Sequence, residues 1–379
     1  MKITRTALIL LVLAAAVCAQ EVEVTITDIL VFKNDETVAK EYLFSRINKV
    51  KTDSKNNIYI QEYKQGNTGN IAMITKYSPE GKYLTAIGKL GEGPGEFQRI
   101  TDFIFLENDN LYLIDDLSQR TTIYNNETKK FEVIGQINPP VFLPMIYFYS
   151  PDKLLVINNN EQRANENLLY IKSLDWKTTF YDFGHPSVFI NSTDPNFDDK
   201  INYHSNPLNI CLAGENKIIA APYFYDGELT ILTNENGAWK AKRVKGFQPK
   251  YDSFEKISRK EFEKISSKKE IHTGGGGSSR FQYDYLQHSC SSSLFTYKNK
   301  YILHFFSVCR HSSYVDRRID VFDIDGKYLG GKVLSTRTAG NTQITSLSVL
   351  WKDKDENFYI VEYANRVPIL KKVKLDISF

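Results

Sequence analysis

Cysteine is scarce in this chain. Its 379 residues include four. Cys18 falls in a leader-like segment, so Cys211, Cys290 and Cys309 remain for the folded part. Three cysteines allow at most one intramolecular disulfide, which excludes a disulfide-framed scaffold and leaves stability to burial. An excess of one charge sign is also missing. Lys and Arg number 48 against 45 Asp and Glu, a formal +3, and discounting Lys2 and Arg5 leaves +1. Such a chain has no long-range field to gather a polyanion, so nucleic acid is excluded as a partner class. Long apolar runs are absent after the first one, at residues 7–17, and that run is too short to span a bilayer. No transmembrane segment is expected. No nucleophile elbow, HExxH motif or Ser-His-Asp spacing occurs. The glycine run GGGGSS at 274–279 has no strand before it and no Lys-Ser/Thr after it, so it is not a phosphate loop.

Aromatic residues, by contrast, are plentiful: 13% of the chain, with 23 Tyr and 23 Phe. Such side chains suit pleated, half-buried surfaces and lean the chain toward strand. At the start, Lys2 and Arg5 precede the apolar run, and Val17-Cys18-Ala19 offers small residues for cleavage before Gln20. Residues 1–19 therefore read as a signal peptide, and residues 20–379 as an exported protein, periplasmic or extracellular. The alternative is a lipoprotein anchored through Cys18.

Internal similarity is the strongest signal. Residues 51–63 read KTDSKNNIYIQEY, residues 352–363 read KDKDENFYIVEY, and residues 106–116 read LENDNLYLIDD. Looser copies begin at Ser150, Gly214 and Tyr297. Each is a polar turn followed by a strand, and none leads into a long helical pattern, which argues against βαβ units. An outer hairpin recurs as well, ITKYSPEGKYL at 74–84 and IDVFDIDGKYL at 319–329. Gly81 and Gly326, with Asn236-Gly237 in another unit, supply the positive φ that tight hairpins need. Two hairpins make one four-stranded blade.

Within this pattern, residues 88–124 (GKLGEGPGEFQRITDFIFLENDNLYLIDDLSQRTTIY) resemble an NHL-type propeller repeat. The GxGPGEF loop links successive blades in that family, and a strand ending in Asp precedes a polar turn. The family's usual Pro after GEF is replaced here by Gln98-Arg99-Ile100. The other blades lack the loop, so the resemblance implies an architecture and no particular activity. The chain as a whole resembles the six-bladed propellers that bacteria export.

The expected fold is thus all-β, a six-bladed β-propeller. Its blades lie near residues 45–98, 99–138, 139–186, 200–248, 281–334 and 342–379. The last is one strand short, and the alternating segment EVEVTITDILVF at 21–32 is expected to supply it, closing the ring. An insertion at about 249–280 separates blades four and five. Within it, Phe254, Ile257, Glu261/Phe262 and Ile265 follow a helical stripe, which predicts a short surface helix over 253–269.

Blade five gathers the reactive side chains. His288 and Cys290 lie in its first strand, and Cys309, Arg310 and His311 end the second. A hairpin turning at Asn299-Lys300 places Cys290 opposite Cys309 and His288 opposite His311 on one sheet face. The first reading is a Cys290–Cys309 cross-strand disulfide. The second is a divalent metal held by His288, Cys290, Cys309 and His311. Arg99, Arg280 and Arg310 fall on rim loops, where with His288 and His311 they are candidate ligand contacts. His304, between Leu303 and Phe305, reads as a core or channel-lining histidine, and Asp115-Asp116 as a turn cap.

These observations favour a non-enzymatic, monomeric binding protein of the bacterial cell envelope. It would use its rim and central channel for a protein partner, a small molecule or a glycan. The rival is a metal-dependent hydrolase or lyase with its site at the channel mouth. No catalytic residue can be named from the sequence.

Overall fold

The computed structural model describes residues 22–32, 44, 47–66, 69–137, 145–157, 166–195, 197–202, 208–258, 260–261, 284–311, 314–338, 348–364 and 367–379. The leader segment, including Cys18, lies outside them. The chain begins with β1 (Glu23–Val31), which joins the last sheet. Blade one is β2 (Ile47–Thr52), β3 (Ile58–Gly66), β4 (Gly69–Tyr77) and β5 (Tyr83–Ile87). A short parallel pair, β6 (Lys89–Leu90) and β7 (Glu96–Phe97), leads into blade two. That blade is β8 (Ile100–Phe105), β9 (Leu111–Asp115), β10 (Arg120–Tyr124) and β11 (Phe131–Gln136). Blade three is β12 (Met145–Ser150), β13 (Lys153–Ile157), β14 (Leu169–Ser173) and β15 (Thr179–Phe183). After a short helix α1 (Phe197–Asn202), blade four is β16 (Leu208–Leu212), β17 (Lys217–Pro222), β18 (Glu228–Glu235) and β19 (Ala238–Lys245). A separate antiparallel pair comes next, β20 (Phe254–Ile257) and β21 (Asp284–Gln287). Blade five is β22 (Ser289–Tyr297), β23 (Tyr301–His311), β24 (Tyr314–Asp323) and β25 (Tyr328–Thr338). Blade six is β26 (Ser348–Lys352), β27 (Asn357–Ala364) and β28 (Val367–Ser378), with β1 as its outermost strand. Glu23 pairs with Ser378 and Val31 with Lys371, antiparallel, across a single bulge at Ile29.

The alternation of side chains in the second strand of each blade explains why the sheets stack around an axis. In β3, Ile58 and Ile60 pack with Tyr359, Val361 and Leu370 of blade six. Tyr59, between them, packs with Phe103, Leu111 and Leu113 of blade two. The pattern passes on: Tyr112 and Ile114 meet Leu154 and Val156 of blade three. Leu155 and Ile157 meet Ile218 and Ala220 of blade four. Ile219 and Ala221 meet Ile302 and Phe306 of blade five, and Leu303 and Phe305 meet Phe358 and Ile360 of blade six. All of these side chains are buried. A strand buried on both faces reads as a continuous apolar run, which is why IYI, LYLI, LLVI and IIAA occupy this position. β1 contributes Val24, and Val22 beside it, to the seam between blades five and six.

Turn chemistry repeats with the blades. Asp53 Oδ1 accepts the N–H groups of Lys55 (3.0 Å) and Asn57 (2.8 Å), and Asp353 Oδ1 those of Asp355 (3.0 Å) and Asn357 (2.8 Å). In both turns the third residue after the Asp is left-handed, Asn56 at φ 59° and Glu356 at φ 63°. Gly326 takes φ 90° in the outer hairpin of blade five, and a Cβ there would come within 2.5 Å of Ile231. Glycine thus serves both the turn and the blade four–five seam.

The expected helix over 253–269 is corrected in part. Residues 254–257 form strand β20, with Lys256 opposite Tyr285. Phe254 packs edge-on against Phe224 (ring centroids 4.9 Å), so tertiary pairing overrides the helical spacing. Lys260 and Glu261 are helical, and 262–283 lie outside the described residues. Among the described residues no helix is long and apolar enough to cross a membrane.

One carboxylate is trapped at the seam of blades four and five. Asp320 on β24 is fully buried and accepts the N–H of Phe247 (2.8 Å) and the hydroxyl of Tyr328 (3.4 Å). Burial pushes its pKa up to about 7, against the opposing pull of the Phe247 N–H and the Arg318 charge. The folded protein then holds a proton that the unfolded chain loses near the usual aspartate range. Stability is highest below that range and falls as pH rises through about 7. We predict that Asp320→Asn removes most of this slope and gains on the order of 3 kcal/mol over the parent at pH 8, with little gain at pH 4. Urea unfolding at the two pH values checks it.

Candidate functional site: the central channel

Four antiparallel strands per blade return the chain to the end at which the blade began. Every innermost strand therefore runs in the same direction around the axis. These are β2, β8, β12, β16, β22 and β26, and they enclose a cavity of about 340 Å³. Five of the six carry a bulge against their neighbour, at Asn48, Thr101, Tyr149, Ser292 and Leu350. A bulge bends a strand and re-aims the side chains beyond it. Lys49 comes directly after the bulge in β2, and Asp102 directly after the bulge in β8.

These two residues and Lys51 form a charge cluster in the channel wall. Asp102 Oδ1 lies 2.8 Å from Lys49 Nζ and 3.0 Å from Lys51 Nζ. The same oxygen accepts the Phe103 N–H (2.8 Å), and Oδ2 accepts the Ile146 N–H (3.0 Å) of the next blade. Lys51 also donates to the Phe103 carbonyl and sits over the rings of Phe103 (5.2 Å) and Trp351 (5.9 Å). The side chains of Lys51 and Asp102 are 11% and 2% exposed, that of Lys49 21%. Burial pushes Lys51 down to about 8, and the Asp102 charge opposes that shift. Burial also opposes ionisation of Asp102, but Lys49, Lys51 and the Ile146 N–H together hold its carboxyl below the usual range.

The rest of the lining is graded along the axis. Asn48, Asn209 and Ser292 occupy the early parts of their strands, and Phe105, Phe148, Phe295 and Trp351 the later parts. Asn48 donates to Gln61 Oε1 (3.1 Å), Asn209 to Ser291 Oγ (3.0 Å), and Trp351 Nε1 to Thr52 Oγ1 (3.0 Å). Sequence reasoning passed over this site. The signals were present: a lone carboxylate inside the apolar run ITDFIF, and two lysines two residues apart in INKVKT. Their meaning depends on which strand lies innermost and on bulges that a sequence does not show.

The blade-five constellation requires correction. Tyr297 faces Tyr301, with Lys298 and Asn299 both left-handed, so the hairpin is centred on Asn299. The bulge at Ser292 shifts the register once more, and Cys290 faces Ser307 instead of Cys309. Cys290 is a free thiol, so the Cys290–Cys309 disulfide is not formed. Cys309 pairs with Val315 of β24. His288 Nε2 lies 3.1 Å from Glu255 Oε2 of β20, away from the expected His288–His311 pairing. Among the described residues no group of three or more His, Cys, Asp or Glu could hold a metal ion. The side chains of Cys309, Arg310 and His311, and Arg280 altogether, lie outside the described residues. Arg99 is drawn onto Asp116, its Nε 2.7 Å from Oδ1, in a two-pronged pair. Asp115 caps the turn as expected, accepting the N–H groups of Gln98 (2.8 Å), Arg99 (3.1 Å) and Ser118 (3.1 Å). His304 is fully buried, stacked on Phe306, and lies 3.0 Å from Ser291 Oγ. Burial pushes it down to about 3, so it is a neutral core histidine.

The charge cluster sets how the channel wall responds to substitution. Asp102→Asn leaves two ammonium groups against a neutral amide in a largely dry wall, and a loss of about 3–5 kcal/mol is expected in urea unfolding. Lys49→Met leaves Asp102 paired with Lys51 and costs less than half of that. Equal losses would contradict this assignment of the charges.

A family model described as a 6-bladed beta-propeller, DUF5128, matches residues 34–229. Among solved structures, a member of the DUF4221 family from Bacteroides vulgatus superposes with a TM-score of 0.59 at 10% identity, over 94% of this chain and 99% of that one. A Bacteroides fragilis protein inferred to be exported gives 0.52 at 11% identity, over 95% and 96%. At such identities the likeness is one of fold alone. No protein of curated description matches the chain. Matched over more than half its length, the chain belongs to the DUF5128 family of six-bladed β-propellers.

Proposed function

We propose that the protein is a non-enzymatic binding protein of the bacterial cell envelope that receives its ligand in the central channel. The observation that carries this reading is the channel itself. All six innermost strands contribute to one cavity of about 340 Å³, within the size range of small-molecule sites. Its walls combine partly exposed aromatic faces with a few fixed polar groups, the composition that such sites share. Export is supported by Lys2, Arg5 and the apolar run at 7–17, and by the fold shared with a Bacteroides fragilis protein inferred to be exported. The rim is left for a protein partner.

The rival reading, a metal-dependent hydrolase or lyase, requires several ligand residues converging at the channel mouth. Among the described lining residues Asp102 is the one carboxylate, and it is shared by two lysines. The two channel asparagines, Asn48 and Asn209, each donate an amide N–H to a neighbouring side chain.

The test is a titration of the mature chain, residues 20–379, with small naphthalene probes, read by fluorescence and equilibrium dialysis. One saturable site is expected. Ser292→Trp, which fills the cavity from β22, is expected to abolish it while leaving the thermal midpoint within a few degrees. Binding that survives Ser292→Trp would place the site outside the channel and overturn the reading.

A further inference from the structure

We infer that the channel selects a monoanion, a carboxylate carried on a flat apolar body. This rests on the channel reading above and names its ligand class. Donor arithmetic is the first reason. An ammonium offers three N–H groups. Lys51 directs two of them to Asp102 Oδ1 and the Phe103 carbonyl. Lys49 directs one to the same Asp102 oxygen. That oxygen already receives the Phe103 N–H, and its partner oxygen receives the Ile146 N–H. Asp102 Oδ1 is thus saturated as an acceptor, and among the described residues the remaining N–H groups of the two lysines have no recorded acceptor. Lys49, the more exposed of the two, lines the cavity and is the donor that a ligand reaches.

Charge is the second reason. Two ammonium groups against one carboxylate leave the wall one positive charge in excess. One anionic group neutralises it, and a dianion would overshoot. In a wall this apolar an unbalanced charge is costly in either sense, so the match in count carries selectivity.

The gradient along the axis is the third reason. Beyond Lys49 the lining turns aromatic, with Phe105, Phe148, Phe295 and Trp351 in the later parts of parallel strands. An anionic head at Lys49 would lay its flat body among these rings. Ser293 lines the same cavity, and its buried hydroxyl has no partner among the described residues. The site therefore holds polar capacity that the fold leaves unused.

Three probes of one shape decide the matter on the mature chain: 2-naphthoate, its neutral amide 2-naphthamide, and 2-naphthyl phosphate as the dianion. The carboxylate is expected to bind at least tenfold tighter than either of the others. Lys49→Met should weaken the carboxylate at least tenfold and the amide less than twofold, and Lys49→Arg should restore most of the carboxylate's affinity. If amide and carboxylate bind alike, or if Lys49→Met lowers both equally, the charge inference fails while channel binding stands. Tighter binding of the phosphate replaces the monoanion by a dianion and also overturns the inference. If none of the probes binds, or if Ser292→Trp leaves binding intact, the channel reading itself fails and takes this inference with it.

Discussion

The second strand of every blade is buried on both faces, and this constraint governs the rest of the molecule. A four-stranded sheet with Ile58, Tyr59 and Ile60 in sequence has no solvent side to offer. It needs a neighbour on each face, and so does that neighbour. The requirement ends only when the last blade meets the first, where Tyr359, Val361 and Leu370 pack with Ile58 and Ile60. Each fully buried large apolar side chain stabilises the fold by about 1.5–3 kcal/mol as an upper estimate. The seams, each built from several such residues, therefore outweigh any turn or ion pair in holding the molecule together.

The channel is a consequence of that packing. Stacking blades around an axis brings their innermost strands together, and five of the six carry a bulge that bends the strand and re-aims its side chains. Bulges in adjacent blades bring Lys49 and Asp102 within 2.8 Å across a blade boundary, and Lys51 joins them on the same oxygen. A buried ion cluster of this kind contributes little net stability against a well-packed apolar wall. Its presence where a smooth wall would serve the fold is what makes it read as a site.

Much of the architecture was legible in the sequence because it depends on local chemistry. Asp53 and Asp353 cap equivalent turns, Gly81 and Gly326 take positive φ in equivalent hairpins, and the second strands read as short continuous apolar runs. The alternation in TITDILV marks a strand with one wet face, and Glu23–Val31 is the outermost strand of its sheet. The failures lie where register and tertiary pairing decide. Centring the blade-five turn half a residue late shifted the pairing by one position and missing the bulge at Ser292 by another, so Cys290 stood two positions from its imagined partner. The stripe of Phe254 and Ile257 fits a helix by spacing, yet β21 and Phe224 claim those residues for a strand. The channel cluster was illegible for the same reason: Lys49, Lys51 and Asp102 meet only after two blades have packed.

The closed ring depends on β1 being an integral strand of the last blade. Hydrogen–deuterium exchange of the mature chain, resolved by mass spectrometry, tests this directly. Amides of Glu23–Val31 that face β28 should exchange as slowly as those of Val367–Ser378, through the same global opening. Exchange of 23–31 within seconds, while 348–378 stays protected, would show that the last blade stands on three strands and would contradict ring closure.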